Sequence, residues 1–85
     1  MLKIEVTGER EGQVTVRLQG QLVGPWVDEV RRACAPYLGN DHGLTLDFFG
    51  VSFVDRDGVA FCQSLRHGGA TFTNCSPFVK EQIYA

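Results

Sequence analysis

With 85 residues and a formal net charge of -2, from eight basic and ten acidic side chains, the chain is sized for one small domain. It carries no basic excess to attract nucleic acid or an anionic membrane. Apolar residues make up 44% and charged residues 21%, the balance of a folded domain and not of a disordered segment.

The first apolar residues, Leu2, Ile4 and Val6, alternate with Lys3, Glu5 and Thr7, which is strand periodicity. Residues 8–12 read as a polar turn. Val14, Val16 and Leu18 alternate with Thr15, Arg17 and Gln19, so the two runs predict a hairpin. Pro25 suits the first position of a helix, and Asp28 and Glu29 suit its first turn. Val27, Val30, Cys34 and Leu38 share one face of that helix, widened by Trp26, Ala33 and Tyr37. Pro36 should bend its last turn or stop it early. Residues 39–43 close it.

Leu44, Leu46 and Phe48 alternate with Thr45 and Asp47 as a third strand. The run Val51-Ser52-Phe53-Val54 then meets an Asp55-Arg56-Asp57-Gly58 turn. A second helix follows from about Asp57 to Arg66 or His67, with Val59, Phe61, Cys62 and Leu65 on its inner side. Gly68-Gly69 stops it. Residues 70–73 make a short fourth strand. Ser76 as N-cap and Pro77 behind it open a last helix with Val79 and Ile83 inward.

The expected architecture is α/β in ββαβαβα order. Two helical crossovers make the last three of the four strands parallel, so the sheet is mixed but mostly parallel. The strands alternate instead of running continuously apolar, so all helices should cover one face. Thr15, Arg17, Gln19, Thr45, Asp47, Thr71 and Thr73 then belong to the more open face. Phe48, Val54, Phe61 and Leu65 fall on the inward phase beneath the turn.

No apolar run approaches the roughly 20 residues of a membrane span. Lys3 and Glu5 occupy the place of a signal-peptide core, so a cytoplasmic location without membrane insertion is the default expectation. Cys34, Cys62 and Cys75 are odd in number and form no CxxC clip, so they read as reduced thiols and not as metal ligands. No metal and no cofactor is called for.

Three local patterns together resemble the STAS domain, the module of bacterial anti-sigma-factor antagonists. Val16-Arg17-Leu18-Gln19-Gly20-Gln21-Leu22 is similar to its apolar strand ending in Gly, polar, Leu. Val51 to Ala60 resembles its Phe-x-Asp-Ser-Ser-Gly-Leu segment. Thr73-Asn74-Cys75-Ser76-Pro77-Phe78-Val79 resembles the Asn-x-Ser-Pro-x-Val opening of its last helix. The likeness runs along nearly the whole chain, 1–85, as one STAS-like domain. It implies a non-enzymatic, cytoplasmic protein-interaction module of signal transduction and transcription regulation. The implied partner is an anti-sigma factor or kinase-like regulator. The alternative is an accessory subunit bound to the ATPase or permease of a lipid-transport ABC system. A homodimer is left open.

The departures are specific. The family often has Asp where this chain has Val23, and its phosphoacceptor Ser or Thr falls on Asp57, beside Arg56. By resemblance, the partner surface comprises Asp55, Arg56, Asp57 and Gly58 with Gln63 and Arg66 on the exposed face of the second helix. Asp55 and Asp57 supply no catalytic pair, since no nucleophile or base is evident beside them. One of the two should cap the helix, a contact of on the order of 1 kcal/mol. His42 and His67 read as exposed polar residues, Ser76 as a cap, and Ser52 and Ser64 as alternative phosphoacceptors.

Overall fold

The computed structural model describes residues 1–38 and 43–85. Two extended strands open it, β1 (Leu2–Arg10) and β2 (Gln13–Leu22), followed by helix α1 (Pro25–Cys34) and a 3-10 turn (Ala35–Tyr37). Strand β3 (Gly43–Val54), helix α2 (Arg56–His67), strand β4 (Thr71–Thr73) and helix α3 (Pro77–Ile83) complete the chain. The strands lie in the order β1-β2-β3-β4, with β1 antiparallel to β2 and both β2–β3 and β3–β4 parallel. This is the ββαβαβα arrangement expected from the sequence.

The inward-phase residues of the strands and helices meet in one cluster, so the helices share a single face of the sheet. Val14, Val16, Leu18 and Leu22 of β2 and Leu44, Leu46, Phe48 and Val54 of β3 join Val30, Cys34, Phe61, Leu65, Val79 and Ile83 there. The four residues singled out beneath the turn, Phe48, Val54, Phe61 and Leu65, are all buried.

Several local details depart from the sequence reading. The hairpin turn is shorter than residues 8–12: β1 runs on to Arg10, which pairs with Gln13. Only Glu11 (φ 49°) and Gly12 (φ 80°) remain between them, both left-handed as a tight two-residue hairpin requires. Pro36 ends α1 early in a 3-10 turn, as expected, but Leu38, past that turn, is 42% exposed instead of in the helix stripe. The closing turn at 39–42, with His42, lies outside the described residues.

Strand β3 is one continuous strand, not a short strand followed by an apolar run. Its register against β2 shifts between Arg17 and Gln19 and again between Gly20 and Gln21, so β3 carries two extra residues as bulges. Phe48 and Val54 face the core as simple alternation from Leu44 gives, because two bulges restore the parity, and between them Val51 packs against the core instead.

Asp47 is buried, at 7% exposure, on the face the helices leave uncovered. Its carboxylate accepts from Asn74 Nδ2 (2.9 Å), Phe49 N (2.9 Å) and Arg17 Nε (3.2 Å). The Asn74 bond leads in holding its pKa below the ordinary value, with the Phe49 and Arg17 bonds adding to it against the cost of burial. The opposite, core-facing thiols behave as burial dictates: Cys34 is pushed up to about 11 and Cys62 to about 12.

Phe61 joins the core from α2 at 6% exposure, with the Arg31 guanidinium 4.8 Å above its ring. Truncating a buried phenylalanine costs about 3–5 kcal/mol, close to the whole stability of so small a domain. Phe61→Ala is therefore expected to unfold most of the protein at room temperature, read from the urea midpoint. A midpoint near that of the wild type would show the ring to be dispensable to the core.

Candidate functional site

Strands β2 and β3 end side by side at Leu22 and Val54, which pair in register. Helices α1 and α2 both begin just beyond, so two helix N-termini meet at the carboxyl ends of two parallel strands. This is the carboxyl end of the parallel part of the sheet. The turn 55–58 occupies it.

Asp55 is the N-cap of α2. Its Oδ1 accepts from Gly58 N at 2.8 Å, and its Oδ2 accepts from Gly24 N, the cap residue of α1, at 2.9 Å. Asp55 N donates in turn to Leu22 O at 3.2 Å. One carboxylate thus ties both helix starts to the strand ends. The Gly24 bond, then the Gly58 bond, hold its pKa below the ordinary carboxylate value.

Asp55 takes the capping role, which leaves Asp57 exposed on the first turn of α2. Arg56 is exposed as well. The two side chains open onto different clefts. Asp57 lines a cleft of about 360 Å³ between α1 and α2, with Asp28, Arg31, Phe61 and Ser64. Arg56 lines an open groove of about 510 Å³ between α2 and α3, with Phe53, Val59, Gln63, Phe78 and Gln82.

Gly58 is buried at the third position of α2. A Cβ there would stand 2.7 Å from Leu22 O and 2.7 Å from Val54 Cγ1. The glycine is what lets α2 start this close to the strand ends.

Gln63 and Arg66 lie farther along α2 and are half-buried against the end of α3. Gln63 Nε2 donates to Gln82 O at 3.0 Å, and the Arg66 guanidinium sits 5.1 Å from the Tyr84 ring centroid. Arg66 Nη2 also lies 3.2 Å from His67 Nε2. The structure therefore places Asp55, Arg56, Asp57 and Gly58 on one turn, with Gln63 lining the same groove as Arg56, while Arg66 lies farther along the α2–α3 seam.

Phe53, 49% exposed, and Phe78, 65% exposed, are part of this surface and were not singled out from the sequence. Simple alternation from Leu44 already sets Phe53 off the core phase, with Thr45 and Asp47. Phe78 carried a signal: it falls off the face set by Val79 and Ile83, so an inward role was excluded. The serines divide by role. Ser52 Oγ donates to Gly20 O, Ser76 Oγ accepts from Val79 N as the α3 cap, and Ser64 is exposed on the α1–α2 cleft.

A solved structure resembles the whole arrangement. The anti-sigma factor antagonist SpoIIAA, in its unphosphorylated form, superposes with a TM-score of 0.70 at 22% identity, covering 99% of this chain and 78% of its own. The chain has the STAS fold. No family model matches the sequence, and no curated protein matches it. Among the described residues, no helix is long and apolar enough to cross a membrane.

Gly→Ala inside a helix ordinarily gains up to about 1 kcal/mol. At position 58 the contacts with Leu22 O and Val54 Cγ1 outweigh that gain, so Gly58→Ala should lose roughly 1–3 kcal/mol in a urea titration. A neutral or stabilising result would mean that α2 can retreat without cost.

Asp55 and Asp47 both have folded-state pKa values below the unfolded value of about 3.9. Their stabilising bonds are complete above that value and are lost as pH falls through the lower folded values. Thermal stability should therefore drop on acidification from about pH 4 downward. Asp55→Asn should be less stable at neutral pH and show a shallower acid limb, because a neutral amide has no proton to gain. An unchanged slope would remove Asp55 from the titration.

Proposed function

We propose that this chain is a non-enzymatic interaction module of the anti-sigma-factor-antagonist type, which binds a protein partner through the start of α2 and the groove beside it. The observation that carries the reading is the exposed Asp57 on a turn whose capping duty Asp55 already performs. Among the described residues the Asp57 side chain makes no hydrogen bond or ion pair, and at a helix N-terminus it is available to a partner. The likeness of fold to SpoIIAA, an anti-sigma factor antagonist, supports the same class of role.

Asp57 stands where the resembling sequences carry the serine or threonine that is phosphorylated. A carboxylate there supplies one negative charge, where phosphate supplies nearly two and more acceptor oxygens. The turn therefore presents a fixed charge instead of a switchable one. Arg56 offers an acidic partner group a bidentate contact, and Phe53, Val59 and Phe78 supply apolar area next to it. The expected setting is bacterial cytoplasmic regulation, with an anti-sigma factor or kinase-fold regulator as partner.

The test starts with affinity capture on the immobilised domain and identification of the partner by mass spectrometry. An ATPase and permease recovered together would favour the accessory-subunit reading, which needs no phosphorylation cycle. Calorimetry with the captured partner then compares wild type, Asp57→Ser and Asp57→Ala. One charge–dipole contact at an interface is worth roughly 1–2 kcal/mol, so Asp57→Ser should shift affinity several-fold. Wild type should take up no phosphate at position 57. Equal affinity for all three proteins would reduce Asp57 to a bystander and defeat the proposal.

A further inference from the structure

Strand β1 pairs with β2 on one side only and forms an edge of the sheet. Nine residues make a long edge, and an open edge is a template for another strand. Its backbone polarity is fixed by the hairpin. Gln21 N donates to Met1 O at 3.4 Å, and pairing continues in step from Leu2 opposite Gly20 to Val6 opposite Val16. Bonded and non-bonded pairs alternate in an antiparallel ladder. Lys3 and Glu5 therefore turn their N–H and C=O toward β2, and Leu2, Ile4 and Val6 turn theirs outward.

Apart from Leu2, which is buried in the core, the side chains at the start of this edge are open. Lys3 and Glu5 are exposed and, among the described residues, have no ion-pair partner. Glu5 faces Arg17 across the ladder, but Arg17 is engaged by Asp47. Val6, on the core phase, is 46% exposed, and Ile4 is half-buried.

We propose that β1 is a self-pairing surface, on which two copies of this chain join antiparallel about a two-fold axis through Ile4. In that register Ile4 faces Ile4 of the second copy, Leu2 faces Val6, and Lys3 faces Glu5. The outward groups of Leu2, Ile4 and Val6 make the bonded pairs. Lys3 and Glu5 fall in the non-bonded pairs, where side chains approach closest. Both copies gain two opposite-charge pairs on one face and continuous apolar contact on the other.

Neighbouring registers are excluded by charge. Sliding by two residues in one direction sets Lys3 against Lys3, and in the other sets Glu5 against Glu5. A further slide drives the pairing through the irregularity between Val6 and Gly8. The bulge thus confines pairing to the first residues of the strand, and the charges choose the register there. An isologous contact of this kind closes at two copies and leaves no free edge on that side.

Sedimentation equilibrium tests this from about 10 µM to about 1 mM, the span in which so small an interface dissociates. Wild type should dimerise reversibly. Lys3→Glu and Glu5→Lys each turn two attractive pairs into repulsive ones and should weaken the dimer at least about tenfold. An equimolar mixture of these two variants should recover a heterodimer, because every pair is then opposite in charge. The double exchange, Lys3→Glu with Glu5→Lys, should dimerise like wild type. Amide exchange on the unaltered protein is an independent readout: Leu2, Ile4 and Val6 should become protected as concentration rises. A wild type that stays monomeric throughout, or a dimer indifferent to these exchanges and without protection at those amides, would overturn the proposal.

Discussion

The arrangement depends on one carboxylate between two helix starts. Asp55 accepts from Gly24 N with one oxygen and from Gly58 N with the other, while its own N–H is bound to Leu22 O. A serine could cap one helix, but it has no second oxygen directed at the other. An asparagine would offer one carbonyl oxygen and two donors where only acceptors fit. The negative charge is also favoured twice, since two helix dipoles place their positive ends beside it. The bonds from Gly24 and then Gly58 hold its pKa below the ordinary value, so the link is intact throughout the neutral range.

That link requires close approach, and the rest of the site follows from it. Gly58 provides the approach by leaving out the one carbon that would strike Leu22 O and Val54. Once α2 is seated, Asp57 and Arg56 lie on either side of its first turn and open onto separate clefts. The chemistry of the surface is set by which residue caps, because the capping residue is withdrawn from contact and its neighbours are released to it.

Much of this was legible in the sequence because the signals were local. Pro25, Ser76-Pro77 and Gly68-Gly69 mark helix ends through backbone restrictions that act within a residue or two. Alternation in residues 14–18 and 44–48 gave the sheet faces. What escaped notice was non-local. The bulges of β3 exist only relative to β2, so the packing of Val51 against the core could not be counted off along the chain. Asp47 looked like an open-face residue by parity, and its burial depends on Asn74, 27 residues away. Asp55 and not Asp57 caps because α2 starts at Arg56 and Gly58 N reaches Asp55, whereas the tie of Asp55 to Gly24, 31 residues distant, had no local signal.

The charge balance of the turn bears on how it can be used. The helix N-terminus offers a field equivalent to roughly half a positive charge, and Asp55 already answers it. Asp57 adds a further negative charge, and Arg56, adjacent and exposed, brings the pair to zero. A phosphate at position 57 would bring nearly two charges and leave an excess that Arg56 alone could not offset. The local composition is therefore matched to a permanent carboxylate. On the proposed reading, binding at this turn is set by the partner's own charge and by the apolar groove beside Arg56.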